Sequence, residues 1–315
     1  MLTLSKSVIE ALDDFELKNG MVEASQCQQI CKEHSISTEK LMIALLSIAQ
    51  QYAKAVVSDF QVGAIAKGKK VNDSGYANLY FAANIEFENR SLCHSIHAEQ
   101  AVISIAWQHG EKGISSIATS AAPCGHCRQF IYELSHNQAF SILTPTNQTI
   151  EDLSYQSRDI SELLPDAFGP RDLDRNQKFM QDFNKLESFV LNDSISTDLL
   201  INEAFAEAAR SYAPYSENYA GCAIQTNDGI IFSGKSIENA AFNPSLPAFS
   251  AALVSLVMGQ PKNQQIGSIF DRVKRVVLVE YATLANQQDL SRSLLATCSK
   301  SLEMQSYQML LAENI

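Results

Sequence analysis

A chain of 315 residues, 46% hydrophobic and 19% charged, can bury a large core and lacks the polar bias of a disordered protein. Its formal net charge of −11 opposes a phosphate backbone, and no apolar run approaches the length of a membrane span, which argues against nucleic acid and against the bilayer as partners. Seven cysteines follow an N-terminus that carries Glu10, Asp13, Asp14 and Glu16 where a signal peptide needs an apolar stretch, so a reducing, cytoplasmic compartment is expected, with thiols kept for packing or metal.

Val8, Ile9, Leu12 and Phe15 recur near the helical repeat and predict helix over about 5–35, within an N-terminal extension covering 1–40. A second amphipathic run, LMIALLSIAQQYAKAVV from Leu41, precedes a short strand-type stretch, 60–66, that ends at a solvated turn around Lys67, Lys69 and Lys70. Strand-like LYFAANIEF (79–87), a helix from His97 to about His109, apolar ISSIATSAA (114–122) and a helix opening at Pro123-Cys124 continue the alternation. That order predicts a layered α/β sheet with helices packed on it. Polar, proline-bracketed residues after Pro165 read as a linker, 171–195, between a first domain at 41–170 and a second at 196–315.

Past the linker the pattern starts again. LLINEAFAEAARSYAPYS (199–216) repeats the character of the helix at Leu41, Ala220-Gly221-Cys222-Ala223-Ile224 echoes Val62-Gly63-Ala64-Ile65, and Ser236-Ile237-Glu238-Asn239 echoes Asn84-Ile85-Glu86-Phe87. PAFSAALVSLV (247–257) stands where HAEQAVISIAW (97–107) stands. The copies differ where chemistry would sit: Pro247 answers His97, Phe249 answers Glu99, and no paired cysteines follow. The second copy therefore reads as a degenerate domain without metal that buttresses the first.

Cys124 and Cys127, in Pro123-Cys124-Gly125-His126-Cys127, place two sulfurs within one turn at a helix start, where exposed N–H groups favour the thiolate that binds metal. Such a pair is also compatible with a redox dithiol, so a third ligand decides. His97 supplies it, because a helix–strand–helix crossover returns both helix starts to one sheet edge. With Glu99 two residues on, His-x-Glu followed by Pro-Cys-x-x-Cys is the signature of zinc deaminases. Three protein ligands leave tetrahedral Zn2+ one position for water, as catalytic sites require. His126 reads as a bystander, Cys93 and His94 as surface or structural residues, and Cys27, Cys31, Cys222 and Cys298 as packing residues.

With these residues assembled, the chain resembles the cytidine deaminase family, in its long bacterial form of a catalytic domain followed by a degenerate copy. The resemblance runs from about residue 40 to the end of the second copy. It is carried by 60–64, Asn84-Ile85-Glu86, His97-Ala98-Glu99, 123–129 and the stretch from Leu164 through Phe168 to Pro170. It implies a three-layer α-β-α deaminase-like sheet, duplicated, and a homodimer with shared active sites in pyrimidine salvage. It also implies that Asn84 and Glu86 hold the ribose, that Phe60 lies against the base, and that Phe168 closes the neighbouring subunit's pocket. Phe60 could equally be plain core. The lysine-rich insertion after Ala66 and the N-terminal extension depart from the family pattern.

The implied reaction is hydrolytic deamination of cytidine and 2'-deoxycytidine to uridine and 2'-deoxyuridine with release of ammonia. Zinc supplies hydroxide for attack on C4, and Glu99 carries protons from the water to ring N3 and then to the departing amine. The Ala98 and Cys124 N–H groups, at helix starts, are candidate donors to the pyrimidine carbonyl. Competing readings are a polynucleotide deaminase, which would need a basic, aromatic surface, a deoxycytidylate deaminase, which would need cations for the phosphate, and a structural zinc module closed by a fourth protein ligand.

Overall fold

Alternation of helix and strand resolves into two sheets with helices on both faces. The computed structural model describes residues 19–135, 139–146, 153–175, 177–181, 185–191 and 197–312. These fall into two units, Met1–Ile85 with His97–Ala167, and Glu86–Ile96 with Phe168–Ile315.

The first unit runs β1 (Met21–Val22), α1 (Ala24–His34), α2 (Thr38–Gln50), β2 (Gly63–Val71), β3 (Ala77–Ala83), α3 (Ala98–Gln108), β4 (Ile114–Thr119), α4 (Gly125–Ser135), β5 (Ser141–Pro145), β6 (Tyr155–Asp159) and α5 (Ile160–Leu163). Strand order is β1-β3-β2-β4-β5-β6, antiparallel throughout except for the parallel pair β4/β5. Helix α2 starts where the Ser37 hydroxyl accepts the Lys40 N–H at 3.3 Å, and it buries Leu41, Met42, Leu45, Leu46, Ile48 and Ala49. Helix α3 is buried from Ala98 to Trp107, the mark of a helix covered on every side. Strand β3 is continuously apolar and buried at 79–83, because helices cover both of its faces.

The second unit runs β7 (Phe189–Leu191), α6 (Leu199–Ala209), β8 (Ala220–Thr226), β9 (Ile231–Lys235), α7 (Ala248–Met258), α8 (Ile266–Phe270), β10 (Val273–Glu280), α9 (Gln288–Cys298) and β11 (Met304–Leu311). Its order, β7-β11-β10-β8-β9, reproduces β6-β5-β4-β2-β3, and β10/β11 is again the parallel pair. One strand enters differently: β6 follows β5 in the chain, whereas β7 precedes the other strands of its sheet. Helices α2 and α6 cross strands β2 and β8 at glycine. A Cβ on Gly63 would stand 2.7 Å from the Gln50 nitrogen, and one on Gly221 would stand 2.2 Å from the Ala204 carbonyl oxygen.

Three expectations change. Helix over 5–35 is confined, among the described residues, to Ala24–His34, because Asn19 and Gly20 take left-handed backbone and Met21–Val22 pair with β3; Val8, Ile9, Leu12 and Phe15 lie outside the described residues. The lysine stretch is strand, not turn. β2 continues to Val71, Lys67 Nζ meets Glu39 at 2.7 Å, and the chain reverses at Asn72–Gly75, where the Gly75 N–H donates to the Asn72 carbonyl at 2.9 Å. Strand 79–87 stops at Ala83. Among the described residues no helix is long and apolar enough to cross a membrane.

Candidate active site

His97 is the N-cap of α3, with extended backbone (φ −82°, ψ 151°), and the Gln100 side-chain oxygen accepts its N–H at 3.1 Å. Cys124 immediately precedes α4 and Cys127 lies in its first turn. Strand β4 joins the two helices, so the crossover brings both helix starts together. His97 Nδ1 lies 3.5 Å from Cys124 Sγ and 3.2 Å from Cys127 Sγ, and the sulfurs are 3.7 Å apart. Two thiolates bonded to one tetrahedral zinc at the usual length sit about 3.8 Å apart, so these donors fit that ion without rearrangement. They form a three-ligand set whose donor atoms all lie within 4.8 Å of one another.

The electrostatics suit a cation. The Cys127 S–H and His97 lower the Cys124 thiol to about 3, so Cys124 carries the thiolate. The same hydrogen bond with Cys124, then burial and Glu99, holds the Cys127 thiol up. His97 is raised, first by its hydrogen bond with Cys124. Hydrogen bonds thus link the three donors through protons that a bound metal would displace.

Glu99, 4% exposed, accepts the Cys127 S–H at 3.1 Å, and burial raises its carboxyl above the ordinary range. A buried carboxyl this close to the donor set is placed to relay protons within the site. Ala98, the first residue of α3, is buried beside it.

Other expected residues are distributed unevenly. Phe60 is 61% exposed, which removes the plain-core reading. Asn84 closes the loop before β2: its side-chain oxygen accepts the Val62 N–H and its amide donates to the Phe60 carbonyl, both at 2.9 Å. Buried Glu86 and exposed Phe168 fall in the second unit. Cys93 is exposed and hydrogen-bonded to Ser91, whereas Cys27, Cys31, Cys222 and Cys298 are buried.

Two supports were not foreseen. His126, read as a bystander, stacks its ring on His97 with centroids 4.9 Å apart and so fixes the ligand's plane. Arg128 donates to the Pro123 carbonyl and to the Leu163 carbonyl, each at 2.9 Å, tying the cysteine turn to the end of α5. The adjacency of His126 to both cysteines was a usable signal; nothing in the sequence links Arg128 to Leu163.

Residues 36–142 and 160–292 each match a family model described as the cytidine and deoxycytidylate deaminase zinc-binding region. A cytidine deaminase of Shewanella loihica is 40% identical over 83% of this chain and 79% of its own length. One of Vibrio parahaemolyticus is 37% identical over 88% and 85%, and one of Haemophilus influenzae is 37% identical over 92% and 90%. A crystal structure of cytidine deaminase from Mycobacterium tuberculosis aligns to 41% of this chain and 95% of its own with TM-score 0.32 and 27% identity.

Fold, donor set and matches together define a zinc-binding deaminase of duplicated α-β-α architecture. Within that class the sequence identities are decisive. The chain belongs to the cytidine deaminase family.

Proposed function

We propose that the protein deaminates cytidine and 2'-deoxycytidine hydrolytically, giving uridine or 2'-deoxyuridine and ammonia, with zinc on His97, Cys124 and Cys127 and Glu99 as proton carrier. The observation that carries this reading is one buried carboxylate, Glu99, placed 3.1 Å from a sulfur of a three-ligand cluster. Bound there, zinc supplies Lewis acidity that brings the pKa of water toward neutrality. Glu99 takes one proton as water adds to C4 and places it on ring N3, then takes the proton of the new C4 hydroxyl and delivers it to the amine as the C4–N bond breaks and the C4 carbonyl forms. Its burial keeps that proton from exchanging with bulk water. The N–H groups of Ala98 and Cys124, at the helix starts, are the donors this reading offers to the pyrimidine carbonyl.

In the same reading Phe60 packs on the base, Asn84 and Glu86 hold the ribose, and Phe168 closes the pocket of a neighbouring copy in a homodimer. The chain divides into an extension at 1–40, a catalytic domain at 41–170, a linker at 171–195 and a metal-free copy at 196–315. Such an enzyme works on free nucleosides in the cytoplasm. Its test is the ultraviolet absorbance of cytidine incubated with the purified protein, before and after chelation. Conversion that stops on chelation and returns with zinc supports the reading; absence of conversion by the zinc-loaded protein defeats it.

A further inference from the structure

The second unit contains a cavity of about 330 Å3, at the small end of the range for ligand sites. Its walls are the counterparts of the first unit's site. Pro247 caps α7 as His97 caps α3, Ser236-Ile237-Glu238 stand for Asn84-Ile85-Glu86, and Gln287 precedes α9 as Cys124 precedes α4.

The metal end of this cavity is closed by an amide. The Gln287 side-chain oxygen accepts the Ala248 N–H at 2.9 Å and its own backbone N–H donates to Glu280 at 2.8 Å. Pro247 offers no ligand atom. Glu238 is likewise committed: one oxygen accepts the Tyr215 and Ser216 N–H groups at 2.8 and 3.2 Å, and the other accepts the Ser216 hydroxyl. Its charge is met by the turn beneath it, so the cavity does not call for a cation. No lysine, arginine or histidine is among the described residues that line it, which excludes a phosphate or carboxylate guest.

What remains is chemistry for a flat, uncharged, hydrogen-bonding molecule. Ser236 is 1% exposed, lines the cavity, and its hydroxyl has no hydrogen-bond partner. A buried hydroxyl left in that state is destabilising unless something arrives to pair with it. Tyr215 and Phe242 meet edge-on with centroids 6.2 Å apart, and Phe242 is 64% exposed on left-handed backbone (φ 61°), a strained setting for an aromatic residue that needs a compensating role. Two aromatic rings and one unpaired hydroxyl lining the same cavity suit a heterocycle's face and polar edge.

We propose that the second unit binds a pyrimidine nucleoside in this cavity and does not turn it over, the base lying against Phe242 and Tyr215 with a polar edge on Ser236. The choice of nucleoside rests on the reading of the first unit; the pocket itself does not. Loss of the metal set thus removed the reaction from the second unit and left a binding site.

Equilibrium dialysis of labelled uridine against the full-length, zinc-loaded protein tests this, because uridine is not consumed. Two molecules per chain are expected. Ser236→Val and Ala285→Trp should each weaken one of the two by about tenfold or more, through loss of the hydroxyl or filling of the space, while turnover of trace cytidine stays near that of the unmodified protein. Uridine binding that both variants leave at the stoichiometry and affinity of the unmodified protein overturns the proposal. Should either variant fail to fold, crystals of the unmodified protein soaked in 5-iodouridine decide: an anomalous iodine peak beside Ser236 supports the site, and iodine confined to the first unit refutes it. Failure of cytidine turnover would count against the first unit's reading, whereas the loss of bound uridine in Ser236→Val and Ala285→Trp reads the second unit alone.

Discussion

Helix α3 opens on His97 and helix α7 opens on Pro247, and both residues hold the same extended N-cap backbone, with ψ of 151° and 153°. Two positions further on, Glu99 and Phe249 are both buried. Each helix is covered along nearly its whole length and each faces a sheet of the same strand order. The fold therefore asks of these positions only a cap geometry and a buried volume, which proline and phenylalanine satisfy as well as histidine and glutamate. Chemistry asks for the side chains themselves. The first unit carries the cost of a buried carboxyl and a cluster of thiols; the second has replaced them with apolar groups and an amide, and its helix is the more uniformly apolar of the two.

The sharpest way to break that comparison is Glu99→Ala. Removing a proton carrier that is not a ligand should lower turnover by about a hundredfold or more while zinc content stays stoichiometric. Metal analysis beside the absorbance assay reads both quantities, and loss of zinc in the variant would show that Glu99 has been given the wrong role.

Next in size is the second unit's own buried charge. Lys235 Nζ lies 2.9 Å from Glu207, both side chains less than a tenth exposed. Lys235→Ala leaves buried Glu207 with the longer Arg210 contact at 4.0 Å and should cost about 3 kcal/mol of stability. Denaturant unfolding checks this, and a loss under 1 kcal/mol would place the pair in solvent contact.

Gly221→Ala should cost about 1–3 kcal/mol, because the added methyl meets the backbone of α6 at Ala204 and Ala208. Gly63→Ala should behave alike in the first unit, where the neighbours are Gln50 and Ala49. Unequal effects, measured by thermal unfolding of the two variants, would show that the crossings are not equivalent.

The smallest effect is at a helix start. Burial pushes Asp198 up, but Arg275 at 2.8 Å and the Leu200 N–H outweigh it, and the carboxyl stays below its ordinary value. A folded pKa below the unfolded one stabilises the native state above about pH 4, and that contribution is lost as pH falls through the folded value. Asp198→Ala should therefore cost about 1 kcal/mol at neutral pH and progressively less below pH 4. A difference from the unmodified protein that stays constant down the acid limb would contradict this.

Much of this was legible in the sequence because it is local. His-x-Glu and Cys-x-x-Cys fix their own spacing, and the recurring helix and strand segments of the two halves show the duplication. Features that depend on distant partners were not legible. The edge strands β1 and β7 are two and three residues long, too short to show any alternation, and exist through pairing with β3 and β11. Lys67, Lys69 and Lys70 looked like a turn because strand lysines at a sheet's end reach outward to solvent or to Glu39, which hides the strand's period. The tie from Arg128 to the Leu163 carbonyl spans 35 residues, which no local pattern announces.

Zinc content per chain tests the central claim most directly, measured for the unmodified protein and for a Cys124→Ala, Cys127→Ala double variant. If metal and reaction belong to the first unit alone, the unmodified protein holds one zinc and converts cytidine, and the double variant holds none and converts nothing. Zinc retained tightly by the double variant would place a second metal site on this chain and contradict the account.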